Sequence, residues 1–428
     1  MNTLPPVEPF RAWIAREWRF LVATFCASGV GYLGSSAAPV LVQALIDAGL
    51  SHRAAGDLGT IELMTLAATS IFVTGYVTRV SHRRLAVVGV CLAALGVAIA
   101  GAASSLVVMG CGRVLLGIGS GLAIAGANAS IAAREDAERV FALIWTLGGG
   151  VTAILSIQLP PIVAGGLYGR GFAVLGLLCL AAAPFLFWIP ARPPRFAPDA
   201  LVASAGAGGD SLPLRGELRG SQSRRSGPFG PLSLLVLAGM FVYSLAEQAL
   251  WQFSFDIAVD RGIPYDLVGY LLGITTFAGL LGGALAAQLG LRVRRVVPLL
   301  LGSLVSLVGR SGYLLATTPE TLLLASLAWG LGFYFVSPYQ IGLAAALDRR
   351  GRVAVAATGL INLGYGLGPT VGGRLRQLQL DQGLDVGFLV AAIAGATLLS
   401  LLLLLPVAAR LDRESRPGKR AESLPEAR

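Results

Sequence analysis

A chain of 428 residues that is 55% apolar and 13% charged, with a mean hydropathy of +0.73, lacks the roughly 25% of charged residues that cover an ordinary soluble domain. Its surface must face something apolar over long stretches, which excludes a string of soluble domains and leaves the bilayer as its solvent. The net charge of +10 does not point to nucleic acid: of 33 basic residues only Lys419 is a lysine, and the arginines lie between apolar runs, where topology signals belong.

Arg11, Arg16 and Arg19 precede an apolar run that passes through Ser35-Ser36-Ala37-Ala38. This resembles a cleavable secretory signal, but the run continues to Leu45 and many others follow, so it is expected to be an uncleaved first span that also directs insertion. In all, twelve runs reach the roughly 20 residues that a helix needs to cross the hydrocarbon core. They fall at 20–44, 60–78, 85–104, 106–131, 140–166, 171–190, 231–255, 264–290, 296–316, 319–346, 353–378 and 385–409. Lipid cannot satisfy open backbone groups, and the alternation of barrel strands is absent, so the spans must be helical. The 56 glycines suit close-packed membrane helices.

With the N-terminus placed in the cytoplasm, the cytoplasmic segments hold 26 arginines and lysines and the external ones five, counting Arg374 and Arg376 at the outer end of span eleven. The alternation holds along the whole chain, which supports the count, the orientation and two cytoplasmic termini. Residues 191–230 form the one long connector, rich in Pro, Gly, Ser and Arg, expected to be a flexible basic cytoplasmic linker. It divides an N-terminal six-helix bundle at 1–190 from a C-terminal one at 231–410, with 411–428 as a disordered cytoplasmic tail.

Ionisable groups inside spans are costly and mark functional candidates. Glu247 lies near the middle of span seven, where Tyr243, Glu247 and Trp251 recur every four residues and Ser244, Gln248 and Gln252 repeat that step one residue round. Such a stripe makes a cavity wall, with Glu247 as proton carrier or cation ligand; the alternative is a structural ion pair with Arg310 or another arginine. Arg113 in span four and Arg310 in span nine are the other buried charges. Asp47, Glu62, Asp256 and Asp260 fall at external ends and are expected to meet water. Span one adds Tyr32, Ser35 and Gln43, span four Asn128, and span ten Trp329, Phe333, Ser337 and Gln340. Cys26, Cys91, Cys111 and Cys179 lie in apolar runs without CxxC spacing, and His52 and His82 are the only histidines, so neither a metal site nor a cofactor is expected.

Basic loops follow spans two and eight, at 75–84 and 292–295, and Gly/Pro-rich segments recur in spans five and eleven. Corresponding signals in both halves are what an internal repeat leaves behind. With its 6+6 layout, the run Arg113-Val-Leu-Leu-Gly117-Ile-Gly119-Ser-Gly121 and the GPxxGG run from Gly368 to Gly373, the chain resembles the major facilitator superfamily, particularly the twelve-span drug and sugar efflux members. The resemblance covers residues 15–410. It implies an all-α polytopic membrane protein of twelve transmembrane helices in two six-helix bundles with pseudo-two-fold symmetry, and a central cavity lined by spans one, four, seven and ten.

The resemblance also implies a place for Arg113 in the proton or substrate pathway. Gly117, Gly121, Pro161, Gly364, Gly368, Pro369, Gly372 and Gly373, with the loop residues Arg83 and Arg84, are gating or packing candidates. Two departures stand out. The 75–84 loop carries Arg79 and His82 where the family motif has an aspartate and a glycine, and span five has only the looser Pro161/Gly165/Gly166 version of the antiporter motif.

The function expected is secondary transport of a small organic solute by alternating access in the inner membrane, coupled to protons through Glu247 and directed outward, by a monomer. Alternatives are an importer or uniporter of an organic anion, with Arg113 and Arg310 as carboxylate partners, and a nontransporting sensor on the same fold. An enzyme would need a catalytic constellation, and ATP-driven transport a phosphate-binding loop; neither motif occurs.

Overall fold

The computed structural model describes residues 10–74, 76–77, 79–134, 136–191, 230–290, 293–347 and 352–414, and among them every regular element is a helix. Twelve long helices run in order: α1 (Phe10–Asp47), α2 (His52–Thr74), α3 (His82–Ala102), α4 (Leu106–Ala132), α5 (Ala137–Gln158), α6 (Tyr168–Ala182), α7 (Pro231–Asp260), α8 (Tyr265–Leu289), α9 (Val296–Leu315), α10 (Pro319–Leu347), α11 (Arg352–Asp381) and α12 (Gly387–Glu414). A 3-10 segment, Ala183–Trp188, extends α6. Among the described residues eleven helices, all but α11, are long and apolar enough to cross a membrane. Helix α11 has the length, 30 residues, and is diluted by Arg374, Arg376, Gln377, Gln379 and Asp381 near its end.

The contacts separate two compact units. One takes the described residues of Met1–Gly49 and Ile61–Phe196, the other those of Leu50–Thr60 and Ala197–Arg428. The start of α2 thus groups with the C-terminal unit, which an N-terminal bundle at 1–190 does not anticipate. The expected linker at 191–230 and tail at 411–428 lie outside the described residues except at their edges, where α12 continues to Glu414, past the boundary expected at 410.

Small residues let backbones touch. A Cβ on Gly96 of α3 would sit 2.6 Å from the Gly112 carbonyl oxygen of α4, and one on Gly372 of α11 would sit 2.5 Å from the Ala249 carbonyl oxygen of α7. Association in lipid gains little from the hydrophobic effect and depends on such close packing.

Several ends depart from the spans expected. Helix α1 has 38 residues, or about 57 Å at 1.5 Å per residue, against a core of roughly 30 Å. Its first turns carry a partly buried polar knot. Trp13, 1% exposed, donates its Nε1–H to Asp136 at 2.7 Å, in the turn between α4 and α5. Arg134 donates to the same carboxylate at 2.7 Å and reaches Glu17 at 2.9 Å, while the Arg139 guanidinium lies 4.2 Å from the Trp13 ring centroid. The hydrogen bond from Arg134 holds the Asp136 carboxyl below the usual carboxylate range, with partial burial opposing it and the Trp13 bond adding to it.

Span five is a correction. The helix stops at Gln158, because Pro160 and Pro161 lack the amide donors needed to continue it, and only a one-turn helix, Pro160–Val163, follows. Gly165 and Gly166 lie beyond it at φ +73° and +80°, a conformation that favours glycine. Pro161 and these glycines therefore shape a turn rather than the interior of a span.

Candidate functional site

In the C-terminal unit the four-residue step on α7 puts Tyr243, Glu247 and Trp251 on one face. Glu247 is 7% exposed and Arg310, on α9, is 0% exposed; the two form an ion pair. The Glu247 carboxylate also accepts from Trp329 Nε1–H of α10, at 3.0 Å and 3.1 Å to its two oxygens. Arg310 donates through Nη1 to Thr397 Oγ1 of α12 at 3.2 Å, while its Nε and Nη2 have no hydrogen-bond partner, Nη2 meeting Glu247 as an ion pair. Its guanidinium carbon lies 4.4 Å from the Tyr243 ring centroid.

Rings enclose the pair. Tyr243 stacks on Phe333 with centroids 6.1 Å apart and planes 2° from parallel, and its hydroxyl donates to Ser306 at 3.1 Å. Trp329 meets Trp251 at 6.0 Å and Tyr313 at 5.3 Å, both edge-on. Either ion alone in a water-poor interior costs several kcal/mol, whereas the hydrogen-bonded pair is neutral. Both candidate charges are thus in one site, together with Tyr243, Trp251, Trp329 and Phe333.

The N-terminal unit holds a second pair that the sequence half conceals. Arg113 of α4 and Glu62 of α2, 3% and 4% exposed, form an ion pair, with the Arg113 guanidinium 4.9 Å from the Phe172 ring centroid. Glycines make room: a Cβ on Gly34 would run into the Glu62 carboxylate, and one on Gly117 would lie 2.5 Å from the Glu62 carbonyl oxygen. This corrects the expectation that Glu62 meets the water interface. Helix α2 begins at His52 rather than at 60, so Glu62 sits about 15 Å along its axis.

Asp256 is corrected in the same way. It is 6% exposed and accepts from Arg376 of α11 at 2.8 Å, with His52 of α2 at 3.1 Å; Arg376 also reaches Asp260 at 2.9 Å.

Other candidates lie elsewhere. Gln248 and Gln252 are buried, with Gln248 Nε2 and Gln252 Oε1 unpartnered. Ser337 bonds back to the Phe333 carbonyl at 2.7 Å, and Gln340 is buried with a free Nε2. Tyr32 is 39% exposed and packs on Trp145 with centroids 5.7 Å apart. Gln43 donates to Asp47 at 2.7 Å, Ser35 is half-buried and Asn128 is exposed.

The glycine candidates serve helix contact. Gly368 and Gly372 face α7 at Gln248 and Ala249, Gly364 faces it at Ser244 and Phe241, and Gly121 faces α2 at Leu66. Gly373 and Pro369 meet the first turns of α2, at the His52 carbonyl and at Gly56. Arg83 donates to the Ile189 carbonyl at 2.7 Å, and Arg84 is exposed. Among the described residues no three His, Cys, Asp or Glu side chains gather as metal ligands.

Comparison with known proteins bears on the fold. The model of the Major Facilitator Superfamily matches residues 20–373. A solved bacterial homolog of the human lysosomal transporter Spinster, inward-facing and unoccupied, is 17% identical over 96% of this chain and 98% of its own, with a TM-score of 0.65. A point mutant of the nucleoside transporter NupG is 10% identical over 94% and 100% at 0.67. A D-xylose-proton symporter is 15% identical over 92% and 96% at 0.62. No curated protein sequence matches the chain.

Proposed function

As a member of the major facilitator superfamily, the chain carries a transporter fold, and we propose that it is a secondary active transporter that moves a small organic solute by alternating access and couples it to protons at Glu247. The observation that carries this reading is a carboxylate buried inside the C-terminal unit, held by Arg310 and by Trp329 Nε1–H. Beside the ion pair stand a second donor, Trp329 Nε1–H, and a shell of rings, and the guanidinium keeps Nε and Nη2 without a hydrogen bond. Such a site can exist in two protonation states, which is what proton coupling requires.

The membrane concerned is the inner membrane, with both termini cytoplasmic, as the arginine distribution supports. The Glu62–Arg113 pair gives the N-terminal unit a comparable locus, and the glycines that bring α11 onto α7 supply surfaces on which helices can shift.

Purified protein in proteoliposomes, loaded with a pH-sensitive dye and given a candidate solute, provides the test. Solute-dependent proton flux is expected, and Glu247→Gln should abolish the proton movement. Proton flux that survives Glu247→Gln, or its absence with every solute, refutes the proposal. The same experiment reads direction: outward exchange against protons follows from resemblance to efflux members, whereas solute and proton moving together is the outcome that the ion pair favours.

A further inference from the structure

The start of α1 carries positive charge that the fold leaves uncompensated. Residues 10–19 of the helix precede the apolar span that begins at Phe20. Trp18 and Arg19 therefore stand where hydrocarbon gives way to headgroups, a layer roughly 5–8 Å deep on each side of the core. Trp13, Phe20 and Thr24 are buried in the unit. On the other side of the helix Arg11, Trp18 and Arg19 fall at i, i+7 and i+8 and are exposed, Trp18 by 44%.

Three contacts build a cradle around Trp18. Its ring stands edge-on to Trp188, the last residue of the 3-10 segment after α6, with centroids 5.1 Å apart. Arg83, at the start of α3, donates through Nε to the Ile189 carbonyl at 2.7 Å, which fixes the chain next to Trp188. The Arg19 guanidinium carbon lies 5.4 Å from the Trp18 ring centroid, and Phe187, beside Trp188 in the chain, is 59% exposed.

The carboxylates of this region are engaged elsewhere. Glu17 pairs with Arg16 at 3.0 Å and with Arg134 at 2.9 Å, and Asp136 pairs with Arg134 at 2.7 Å. Among the described residues no ion pair neutralises Arg19, and the carbonyl that Arg83 engages carries no charge. Two guanidinium charges thus flank the Trp18–Trp188 pair at headgroup depth. We propose that this end of the N-terminal unit, the cytoplasmic one on the arginine distribution, is a binding site for an anionic phospholipid, with the phosphate at Arg19 and the first acyl carbons against Trp18 and Phe187. A guanidinium fork matches phosphate oxygens, and tryptophan rings favour the same depth. A soluble acidic partner would have to displace headgroups to reach Arg19, whereas lipid phosphates already lie there. The site goes beyond transport and does not depend on Glu247.

Arg11 separates a site from a diffuse attraction. It lies eight residues, about 12 Å, further out along α1, which is more than a Debye length of ~8–10 Å from Arg19. A basic surface without a site would weigh the two arginines alike. The cradle makes Arg19 dominant.

The test uses the full-length protein in nanodiscs of phosphatidylcholine containing a graded fraction of phosphatidylglycerol with brominated acyl chains, which quench tryptophan fluorescence on contact. Quenching should saturate at a low fraction of phosphatidylglycerol, whereas brominated phosphatidylcholine should quench in simple proportion to its amount. Arg19→Gln should raise the half-saturating fraction about fivefold, and Arg11→Gln by under about twofold; Arg19→Lys, which keeps the charge, should fall between wild type and Arg19→Gln. Trp18→Phe should diminish the saturating component. Glu247→Gln should leave the curve unchanged, so that this site and proton coupling stand or fall separately. Melting of each variant with wild type checks that it folds. Equal curves for the two lipids, wild-type half-saturation in Arg19→Gln, an equal shift in Arg11→Gln, or undiminished quenching in Trp18→Phe overturns the proposal.

Discussion

The two members of the Glu62–Arg113 pair should be far costlier to remove singly than together. Removing one partner of a buried ion pair costs about 3–5 kcal/mol, because a charge is stranded. Both groups here qualify, since the Arg113 and Glu62 side chains are 4% and 6% exposed. After Glu62→Gln the stranded group is the Arg113 guanidinium, and after Arg113→Met it is the Glu62 carboxylate.

Each single variant should therefore lose about 3–5 kcal/mol, or roughly 6–20 °C in melting temperature at about 2–4 °C per kcal/mol for a unit of this size. The double variant, with neither charge, should lie within about 2 kcal/mol of wild type. Tryptophan-fluorescence melting of the four proteins makes the measurement. Single variants that melt with wild type, or a double variant as unstable as the sum of the singles, would refute the reasoning.

Three further outcomes are expected. Gly34→Ala puts a methyl group against the Glu62 carboxylate and should lower the melting temperature by the equivalent of about 1–3 kcal/mol, as overpacking does; wild-type melting would show that α1 yields freely there. Trp329→Phe keeps the ring but removes the donor to both Glu247 oxygens, and should cost about 1.5–3 kcal/mol and shift the pH profile of proton-linked flux, so an unchanged profile argues against a role for that bond. The Asp136 carboxyl is held below its ordinary range by Arg134, so its contribution is present above about pH 4 and lost as pH falls through the folded-state value. Asp136→Asn should therefore melt below wild type near neutral pH, the gap closing on acidification; a constant gap would assign its role to shape alone.

How far these features can be read from residue order depends on what each signal measures. Among the described residues hydropathy locates the long helices, α11 least sharply because polar residues dilute its end, since a run of about 20 apolar residues has few other uses. It misplaces their ends, since a charge inside a run looks like the edge of one. By hydropathy α2 starts at 60 rather than His52, α7 ends at 255 rather than Asp260, and α11 ends at 378 rather than Asp381. The first two errors move Glu62 and Asp256 from the interior to the water interface. Their partners, Arg113 and Arg376, lie 51 and 120 residues away, a pairing that no local pattern carries.

Glu247 is legible because it stands in mid-run with rings on the same helical face, and Arg310 because no apolar boundary lies near it. The ring shell is only partly legible. Phe333 and Trp329 share a four-residue step on α10, but their approach to Tyr243 and Trp251 depends on how α7 and α10 pack. The prolines of span five are visible in the sequence, yet their spacing is equally compatible with a kinked span and with a helix stop. The positive φ of Gly165 and Gly166 decides for the stop.

The placement of the two pairs bears on how a proton could act. Glu62 and Arg113 both belong to the N-terminal unit, and Glu247 and Arg310 both to the C-terminal one. Each of these two pairs therefore balances its charge within one unit. A proton bound at Glu247 changes the charge of the C-terminal unit alone. The imbalance must then be met within that unit, by a solute beside Arg310, or by a rearrangement that brings Arg310 toward water. Both responses move α9 and α10, the helices that hold Arg310 and Trp329. A cross-link that fixes α9 to α10 at Gly312 and Ala325, where a Cβ on Gly312 would lie 3.2 Å from the Ala325 Cβ, should accordingly stop transport while leaving the protein folded. Transport that continues through such a cross-link would mean that the response to the proton lies outside this helix pair.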